Sequence, residues 1–266
     1  MTMPYLPPLD QLLALGEPEV GAREPWPDYL AMGFDAEHVP ELIRMATDAE
    51  LVEGDPEAAP TYGGIHAWRT LGLLRAEAAA EPLLGLLETD DDWALDEIPD
   101  VLGMIGPAAL EPLRVALARW SLALVSWTAG AAAYGLAEIA KRYPETREAA
   151  VAALARQLRW WARQSRRLNA MLIHELVELN AVEAAPAIEE AFAADAVDTP
   201  WTGEDWEDVQ VALGLLPARI TPRERYEPAL RLVRRFVNRF VPPRPSVPKR
   251  RKKAKKGAHR RKGKRR

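Results

Sequence analysis

The amino-acid sequence predicts an all-α protein in which pairs of helices stack along the chain. A unit made of an apolar helix, a short break and a second helix recurs four times, beginning at Leu71, Leu102, Leu136 and Leu176. Alanine and leucine dominate these units, and no stretch alternates apolar and polar residues with the period of two that marks a strand. Because one helix pair cannot bury its apolar face alone, the sequence predicts an α-α superhelix, or helical solenoid.

The first 60 residues are predicted to form an N-terminal helical cap with loops. A short helix is expected among the leucines of residues 9–15, and a second helix at 37–46 carries Pro40 in its first turn, where the missing N–H costs little. Residues 47–50 have the spacing of a capping box, so a further short helix is expected to start with Thr47 as its cap.

Residues 61–241 are predicted to hold the repeated pairs and a closing helix. Prolines 82, 112 and 186 fall near the starts of second helices, where proline is tolerated. A helix is also expected within 205–216, and Thr221 with Pro222 is a start signal for a basic, amphipathic closing helix. The first helices are predicted at 62–74, 94–105, 127–142 and 166–180, and the second helices at 77–88, 107–120, 145–162 and 183–194.

The charges are segregated along the chain. Residues 249–266 hold 13 Lys or Arg and no acid, which leaves 22 basic and 39 acidic residues before them, a net charge of −17. Residues 242–266 are therefore predicted to be a Pro-rich spacer followed by a disordered basic tail, because such a segment has no core-forming residues and repels itself. The pattern is that of an acidic body with a basic arm.

The composition limits the class of protein. Cysteine is absent, which excludes disulfides, cysteine-based zinc sites and cysteine nucleophiles and fits a reducing cytoplasm. The N-terminus lacks the pattern of a secretory signal. The longest uncharged stretch, residues 120–137, is rich in Ala, Gly, Ser and Thr, so it predicts a packed helix rather than a membrane span. We expect a cytoplasmic protein that does not enter a membrane.

The basic tail is the first candidate binding segment. A dense run of cations without aromatic residues binds polyanions by counterion release and does not read bases, so we expect nonspecific affinity for RNA or ribosomes. A solubilising tail, or pairing with the acidic front of the same chain, is the alternative. The predicted nucleic-acid-binding residues are Lys249, Arg250, Arg251, Lys252, Lys253, Lys255, Lys256, Arg260, Arg261 and Lys262.

Trp160 and Trp161 are the second candidate. Adjacent residues cannot both lie on one buried stripe of a helix, and Arg156, Arg159 and Arg163 surround them. Trp and Arg are the usual anchors of protein interfaces, so this cluster is predicted to bind a protein partner. The alternative is that one tryptophan is buried and the other covers the next repeat. Three further tryptophans, at positions 68, 120 and 127, are expected to fill gaps between repeats.

Other motifs favour structural roles. His174 to Glu178 reads HELVE, which lacks the second histidine of a zinc-protease helix, so its apolar residues are expected to pack and its glutamates to face water. His38 and His66 have no recognisable nucleophile partner. The acidic run at 90–92 lacks the glycine and distal glutamate of a calcium loop. No catalytic residue, metal, cofactor or small-molecule substrate is therefore expected.

The repeated pattern resembles the short HEAT-like repeats of the phycobilisome-lyase type. The resemblance covers about residues 64–194 and is carried by Leu-Gly at the end of the first helix and by the EPL or APAI start of the second. The front segment, WPDYLAMGFDAEHVPELIRMATD with IHAWRTLG, is similar to a bacterial HEAT-like family of unknown function. Some relatives of that kind carry a cysteine-rich metal motif, which this cysteine-free chain cannot provide. The lyases attach bilin pigments, and no residue here transfers that activity.

These observations favour a non-enzymatic scaffold or adaptor that binds a macromolecular partner. Two other classes remain open. A HEAT-like enzyme of the DNA-glycosylase kind would read duplex DNA in a basic groove, and the net charge of −17 on residues 1–248 argues against it. A bilin-lyase-like chaperone would present a ligand to a client protein.

Overall fold

The structure is a computed structural model that describes residues 4–18, 26–52, 54–55, 57–89, 91–122 and 127–222. Within these ranges all regular structure is helical and no strand occurs, which confirms the all-α prediction. The predicted closing helix beyond Pro222 and the basic tail lie outside the described residues. The α-helices of the described ranges are α1 (Leu9–Leu12), α2 (Val39–Ala46), α3 (Ala49–Val52), α4 (Gly63–Leu73), α5 (Ala80–Leu86), α6 (Asp92–Ile105), α7 (Leu110–Trp120), α8 (Trp127–Arg142), α9 (Arg147–Leu158), α10 (Arg166–Glu178), α11 (Ala185–Ala193), α12 (Thr199–Thr202) and α13 (Trp206–Ala212).

The four predicted helix pairs are present as α4–α5, α6–α7, α8–α9 and α10–α11. Each second helix is preceded by a short 3-10 turn whose last residue is buried, so the break in every unit has the same local form. These turns are Glu77–Ala79, Pro107–Ala109, Pro144–Thr146 and Val182–Ala184. The prediction that the helix from residue 145 continues to residue 162 is wrong: α9 ends at Leu158, so Trp160 and Trp161 do not lie on that helix.

Contacts between the pairs follow the order of the chain. The first helices form one row in which α4 contacts α6, α6 contacts α8 and α8 contacts α10, and the second helices form another row from α5 to α11. Glycines permit close approach in the first row. An ideal Cβ built on Gly103 of α6 would lie 2.7 Å from the Cβ of Glu138 in α8, so these two helices touch at the backbone level.

The ends of α4 and α10 explain why the sequence pattern repeats. The amide of Ala76 donates to the carbonyl of Leu71 at 3.0 Å, and the amide of Ala181 donates to that of Leu176 at 2.9 Å. These are Schellman caps, in which the preceding residue has a positive φ: 50° at Arg75 and 49° at Asn180. Each leucine is also buried, so the same position supplies both a core side chain and the acceptor of the cap.

The N-terminal segment covers α4, whose residues from Gly63 to Gly72 are all buried. The indole of Trp68 donates to the carbonyl of Ala46 at 2.8 Å, which connects α4 to α2. The short helix α3 is capped by Asp48, whose carboxylate accepts from the amide of Glu50 at 3.0 Å. The hydroxyl of Thr47 instead donates to the carbonyl of Ile43, so the expectation that Thr47 is the cap is wrong.

A buried polar cluster joins this segment to the first two pairs. The guanidinium of Arg69 in α4 donates twice to Glu97 in α6, at 2.9 and 2.5 Å, and lies over the ring of Trp26. His66 contacts the carbonyl of Gly16 through Nε2 at 2.9 Å and the hydroxyl of Tyr29 through Nδ1 at 2.7 Å. A carbonyl only accepts, so Nε2 carries the proton and Nδ1 accepts from Tyr29. Burial lowers the pKa of His66, which is consistent with this neutral form.

Within the described ranges, no single helix has the length and apolar character needed to cross a membrane. The segments Asp92–Ile105 and Pro107–Trp120 meet that test only when taken together, and they are bent by 119° at their junction.

Candidate partner-binding surface

Trp160 lies on the connection between α9 and α10, where its side chain is 48% exposed. The guanidinium carbon of Arg163 lies 4.7 Å from the centroid of the Trp160 ring, within the range of a cation–π contact. Arg159, Trp160, Ala162 and Arg163 line a shallow concavity. The loop therefore presents an aromatic ring whose position is restrained by a stacked cation.

The two adjacent tryptophans have different environments. Trp161 begins a short 3-10 turn, Trp161–Arg163, and its partly buried ring packs against the hydrophobic core. The local helix break turns one ring inward and leaves the other outward. Of the two predicted partner-binding tryptophans, Trp160 is the accessible one, and Trp161 attaches the loop to the body.

The arginines near Trp160 form two groups. Arg166 and Arg167, at the start of α10, are each paired with an aspartate, Asp195 at 2.7 Å and Asp198 at 2.8 Å. The predicted partner-binding arginines differ from Arg166 and Arg167. In the part of the chain that the structure describes, none of them has a carboxylate within ion-pair distance. These exposed cations are Arg156, Arg159 and Arg163.

A buried amide network that the sequence analysis missed holds this loop in place. Asn169 in α10 donates to the carbonyls of Trp161 at 3.1 Å and Ala196 at 2.7 Å, and its own carbonyl accepts from Gln164 at 2.6 Å. Gln164 in turn accepts from Gln157 at 2.7 Å. A sequence signal existed, because Asn169 lies four residues before Ile173 and seven before Leu176, on a stripe that is otherwise apolar.

A second aromatic contact lies at the start of α8. Arg167 stands between Trp127 and Trp201, with its guanidinium carbon 5.6 and 4.9 Å from the two ring centroids. Trp127 is 50% exposed, so the expectation that it fills a gap between repeats is wrong. It is the first residue of α8, and Arg167 of α10 contacts only part of its surface. Trp68 and Trp120 are buried, as expected.

The HELVE motif is only partly as expected. His174 and Glu178 are exposed, but Glu175 is buried, so the prediction that both glutamates face water is wrong for Glu175. Burial raises the pKa of this carboxyl to about 7. Among the described residues, no group of three or more His, Cys, Asp or Glu side chains is placed to hold a metal ion.

The predicted nucleic-acid-binding residues of the tail, Lys249 to Lys262, lie outside the described residues. Comparison of the sequence with protein-family models, with curated proteins and with solved structures finds no significant match. The surface around Trp160 is therefore assigned from its own geometry and chemistry.

Proposed function

We propose that the protein is a non-enzymatic scaffold that binds another protein through the surface around Trp160. The observation that carries the proposal is the half-exposed Trp160 ring stacked by Arg163 on a loop that Asn169 fixes to the body. Preorganised Trp and Arg side chains are the commonest energetic anchors of protein interfaces. The cysteine-free composition supports a cytoplasmic location.

The architecture proposed for this scaffold is a HEAT-like helical solenoid. Its support is that contacts run between neighbouring pairs in both helix rows and that each pair repeats the same buried turn. Stacked helix pairs give an elongated surface on which loops between units lie side by side. The loop carrying Trp160 is such a connection, between the third and fourth pairs.

The chemistry of the surface indicates what the partner presents. Trp160 offers an apolar face, Arg159 and Arg163 line the same concavity, and Arg156 is an exposed cation one turn earlier on α9. None of these arginines has a carboxylate within ion-pair distance in the described part of the chain. The complementary ligand is a protein segment with an apolar side chain next to acidic residues. Arginine is suited to this role because its planar guanidinium binds carboxylates bidentately.

Affinity capture with quantitative mass spectrometry tests this proposal. Trp160→Ala should deplete the specific partners, because losing such an anchor costs about 2 kcal/mol or more, or roughly 30-fold in affinity. Trp127→Ala is the matched control, since Trp127 is equally exposed. Equal recovery of the same partners by the wild type and by Trp160→Ala would contradict the proposal. Depletion by Trp127→Ala alone would move the interface away from Trp160.

We further propose that the tail adds nonspecific affinity for RNA or ribosomes. Its support is compositional: 13 cations in residues 249–266, with no acid. Binding by counterion release weakens steeply as salt rises. Removing residues 249–266 should abolish retention of labelled RNA at low salt. Salt-independent binding, or binding that survives the deletion, would contradict this proposal.

A further inference from the structure

A row of polar side chains crosses α6, α8 and α10 on the helices of the first row. Arg142 of α8 bridges Asp100 of α6, at 3.1 Å, and Glu138 of its own helix. Lys141 bridges Glu138, at 3.1 Å, and Glu178 of α10, at 3.4 Å. The hydrogen bonds connect three successive helices, so the row forms one continuous surface.

Negative charge exceeds positive charge along this row. Four carboxylates, on Asp100, Glu138, Glu175 and Glu178, share two cations, Lys141 and Arg142. Asp92 and Asp96 extend the acidic row along α6. We call this set of carboxylates the acidic face: Asp92, Asp96, Asp100, Glu138, Glu175 and Glu178. The three aspartates follow each other at intervals of four residues, which places them on one side of α6.

The acidic residues of α6 show the effect of this imbalance. Partial desolvation and the neighbouring Asp92 and Glu97 raise the pKa of Asp96. Desolvation and Glu138 raise the pKa of Asp100 in spite of its contact with Arg142. In the described ranges neither Asp92 nor Asp96 has an ion-pair partner. A cation placed over these groups would relieve their mutual repulsion.

Glu175 is the second, independent sign that a cation is missing. Its side chain is 7% exposed, and among the described residues Oε2 has no hydrogen-bond partner. The charged groups nearest to it are Lys141, Glu178 and Glu138. A buried carboxyl without a partner is costly, and the shared Lys141 does not balance three glutamates. The described side chains do not form a metal cage, so an extended organic polycation fits this row better than an ion.

The chain itself contains such a polycation. The described residues end at Pro222, and residues 223–248 separate this point from the basic tail at 249–266. A flexible chain of that length spans about 28 Å on average, and a helical one about 39 Å. The 14 residues of α6 extend over about 21 Å. The spacer therefore lets the tail move tens of ångströms from Pro222, a distance larger than the length of α6, and linkage within one chain raises its effective concentration at the surface of the body.

We propose that the acidic face binds residues 249–266 of the same chain and releases them when a polyanion competes. This goes beyond the scaffold function, because it concerns neither Trp160 nor its partner. The tail then has two alternative binding partners, the carboxylates of its own chain and an external polyanion. The resulting regulation is that RNA binding and tail docking exclude each other.

Energy transfer within the full-length chain tests the proposal. The natural chain has no cysteine, so introduced cysteines can be labelled specifically. One variant carries Ala254→Cys in the tail with His174→Cys, an exposed position of α10 next to Glu175. The matched control carries Ala254→Cys with Ala152→Cys, an exposed position of α9 in the other helix row. Circular dichroism of each labelled protein verifies its helical fold.

The expected result is higher transfer in the His174→Cys pair than in the Ala152→Cys pair at low salt. The excess should disappear in roughly 1 M salt, where the screening length is about 3 Å, and on addition of poly(U) RNA. Adding Asp96→Asn and Glu178→Gln should remove most of it. Equal transfer in both pairs, or an excess unchanged by salt, would overturn the proposal. Transfer between singly labelled chains would show that the tail binds another copy instead.

Discussion

Two polar clusters lie between helices of the first row, and they differ in whether their charges are compensated. In the cluster of Arg69 and Glu97 the carboxylate receives two hydrogen bonds from the guanidinium, and His66 uses both ring nitrogens. On the acidic face, Glu175 is also buried, with 7% of its surface exposed, but one of its carboxyl oxygens has no hydrogen-bond partner among the described residues. A satisfied cluster stabilises and positions its own segments. A cluster with unpaired negative charge is stabilised when a cation binds to it. We therefore assign a structural role to the cluster of Arg69 and Glu97 and a binding role to the acidic face.

The largest expected effect comes from breaking the satisfied cluster. Arg69→Ala leaves Glu97 without its partner in a nearly buried site, and this should lower the free energy of unfolding by about 3–5 kcal/mol. Arg114→Ala, which removes the exposed pair with Glu111, is the control and should cost less than about 1 kcal/mol. Urea unfolding measures both. Similar losses for the two variants would mean that burial does not strengthen the dependence on the Arg69 pair.

A second satisfied cluster, around Asn169, should respond almost as strongly. Asn169→Asp keeps the shape but removes both donors to the carbonyls of Trp161 and Ala196, with an expected loss of about 2–4 kcal/mol. Asn180→Asp is the matched substitution at the exposed, positive-φ cap of α10, where the added charge near the helix C-terminus should cost less than about 1 kcal/mol. The expected result includes faster proteolysis of the loop carrying Trp160. An unaltered melting temperature for Asn169→Asp would contradict this role.

The unsatisfied cluster should respond in the opposite direction. The pKa of Glu175 is about 7 in the folded protein and 4.5 for an unperturbed glutamate, so between these pH values the folded state holds a proton that the unfolded state has released. Stability contributed by this group is present below pH 4.5 and is lost as the pH rises through 7.

Glu175→Gln, which imitates the protonated form, should therefore be neutral at low pH and stabilising at high pH. We expect about 1–3 kcal/mol of added stability near pH 8 and almost none near pH 4, below the pKa of the unfolded state. Chemical unfolding at both pH values measures the difference. The charged groups facing Glu175 are unchanged in this variant, so a loss of stability at pH 8 would show that the carboxylate already has a favourable partner.

The smallest effects concern the glycine that brings two of these helices together. Gly103→Ala would place a methyl group 2.7 Å from the Cβ of Glu138, and we expect a loss of about 1–3 kcal/mol from the forced separation. Gly85→Ala is the matched control in α5, where an added Cβ meets nothing within 4 Å, and it should stabilise by about 0.5–1 kcal/mol. Differential scanning calorimetry distinguishes the two signs. Stabilisation by both would mean that α6 and α8 are further apart than described.

The helix pairs could be predicted from the sequence because their causes are local. Apolar periodicity, prolines near the starts of second helices and the repeated leucines at Leu71 and Leu176 each act within a turn or two of their own position. The different environments of Trp160 and Trp161 could be predicted for the same reason, because adjacent side chains on a helix point in different directions. The direction of each ring required the helix end at Leu158, a boundary that periodicity locates poorly.

The compensated and uncompensated charges could not be predicted in this way. The partner of Arg69 lies 28 residues further along the chain, and only the packing of α4 on α6 brings Glu97 to it. Glu175 belongs to a motif that local chemistry assigns to solvent, and it is buried because α8 lies beside α10. Trp127 is the opposite case to Glu175, because this apolar residue remains exposed at the first position of its helix. Burial of a single side chain is a tertiary property.

Direct titration of the Glu175 carboxyl tests the difference between the two clusters most directly. Carbon-13 NMR of glutamate side chains in the full-length protein, recorded in roughly 1 M salt so that the tail is released from the acidic face, follows each carboxyl with pH. The resonance that disappears in Glu175→Gln assigns the group. Our account predicts a midpoint at a pH of about 7, reflecting a buried carboxyl that no cation of the described residues compensates. A midpoint near the ordinary value of 4.5 would show that Glu175 is solvated or paired, and it would contradict the account of the acidic face.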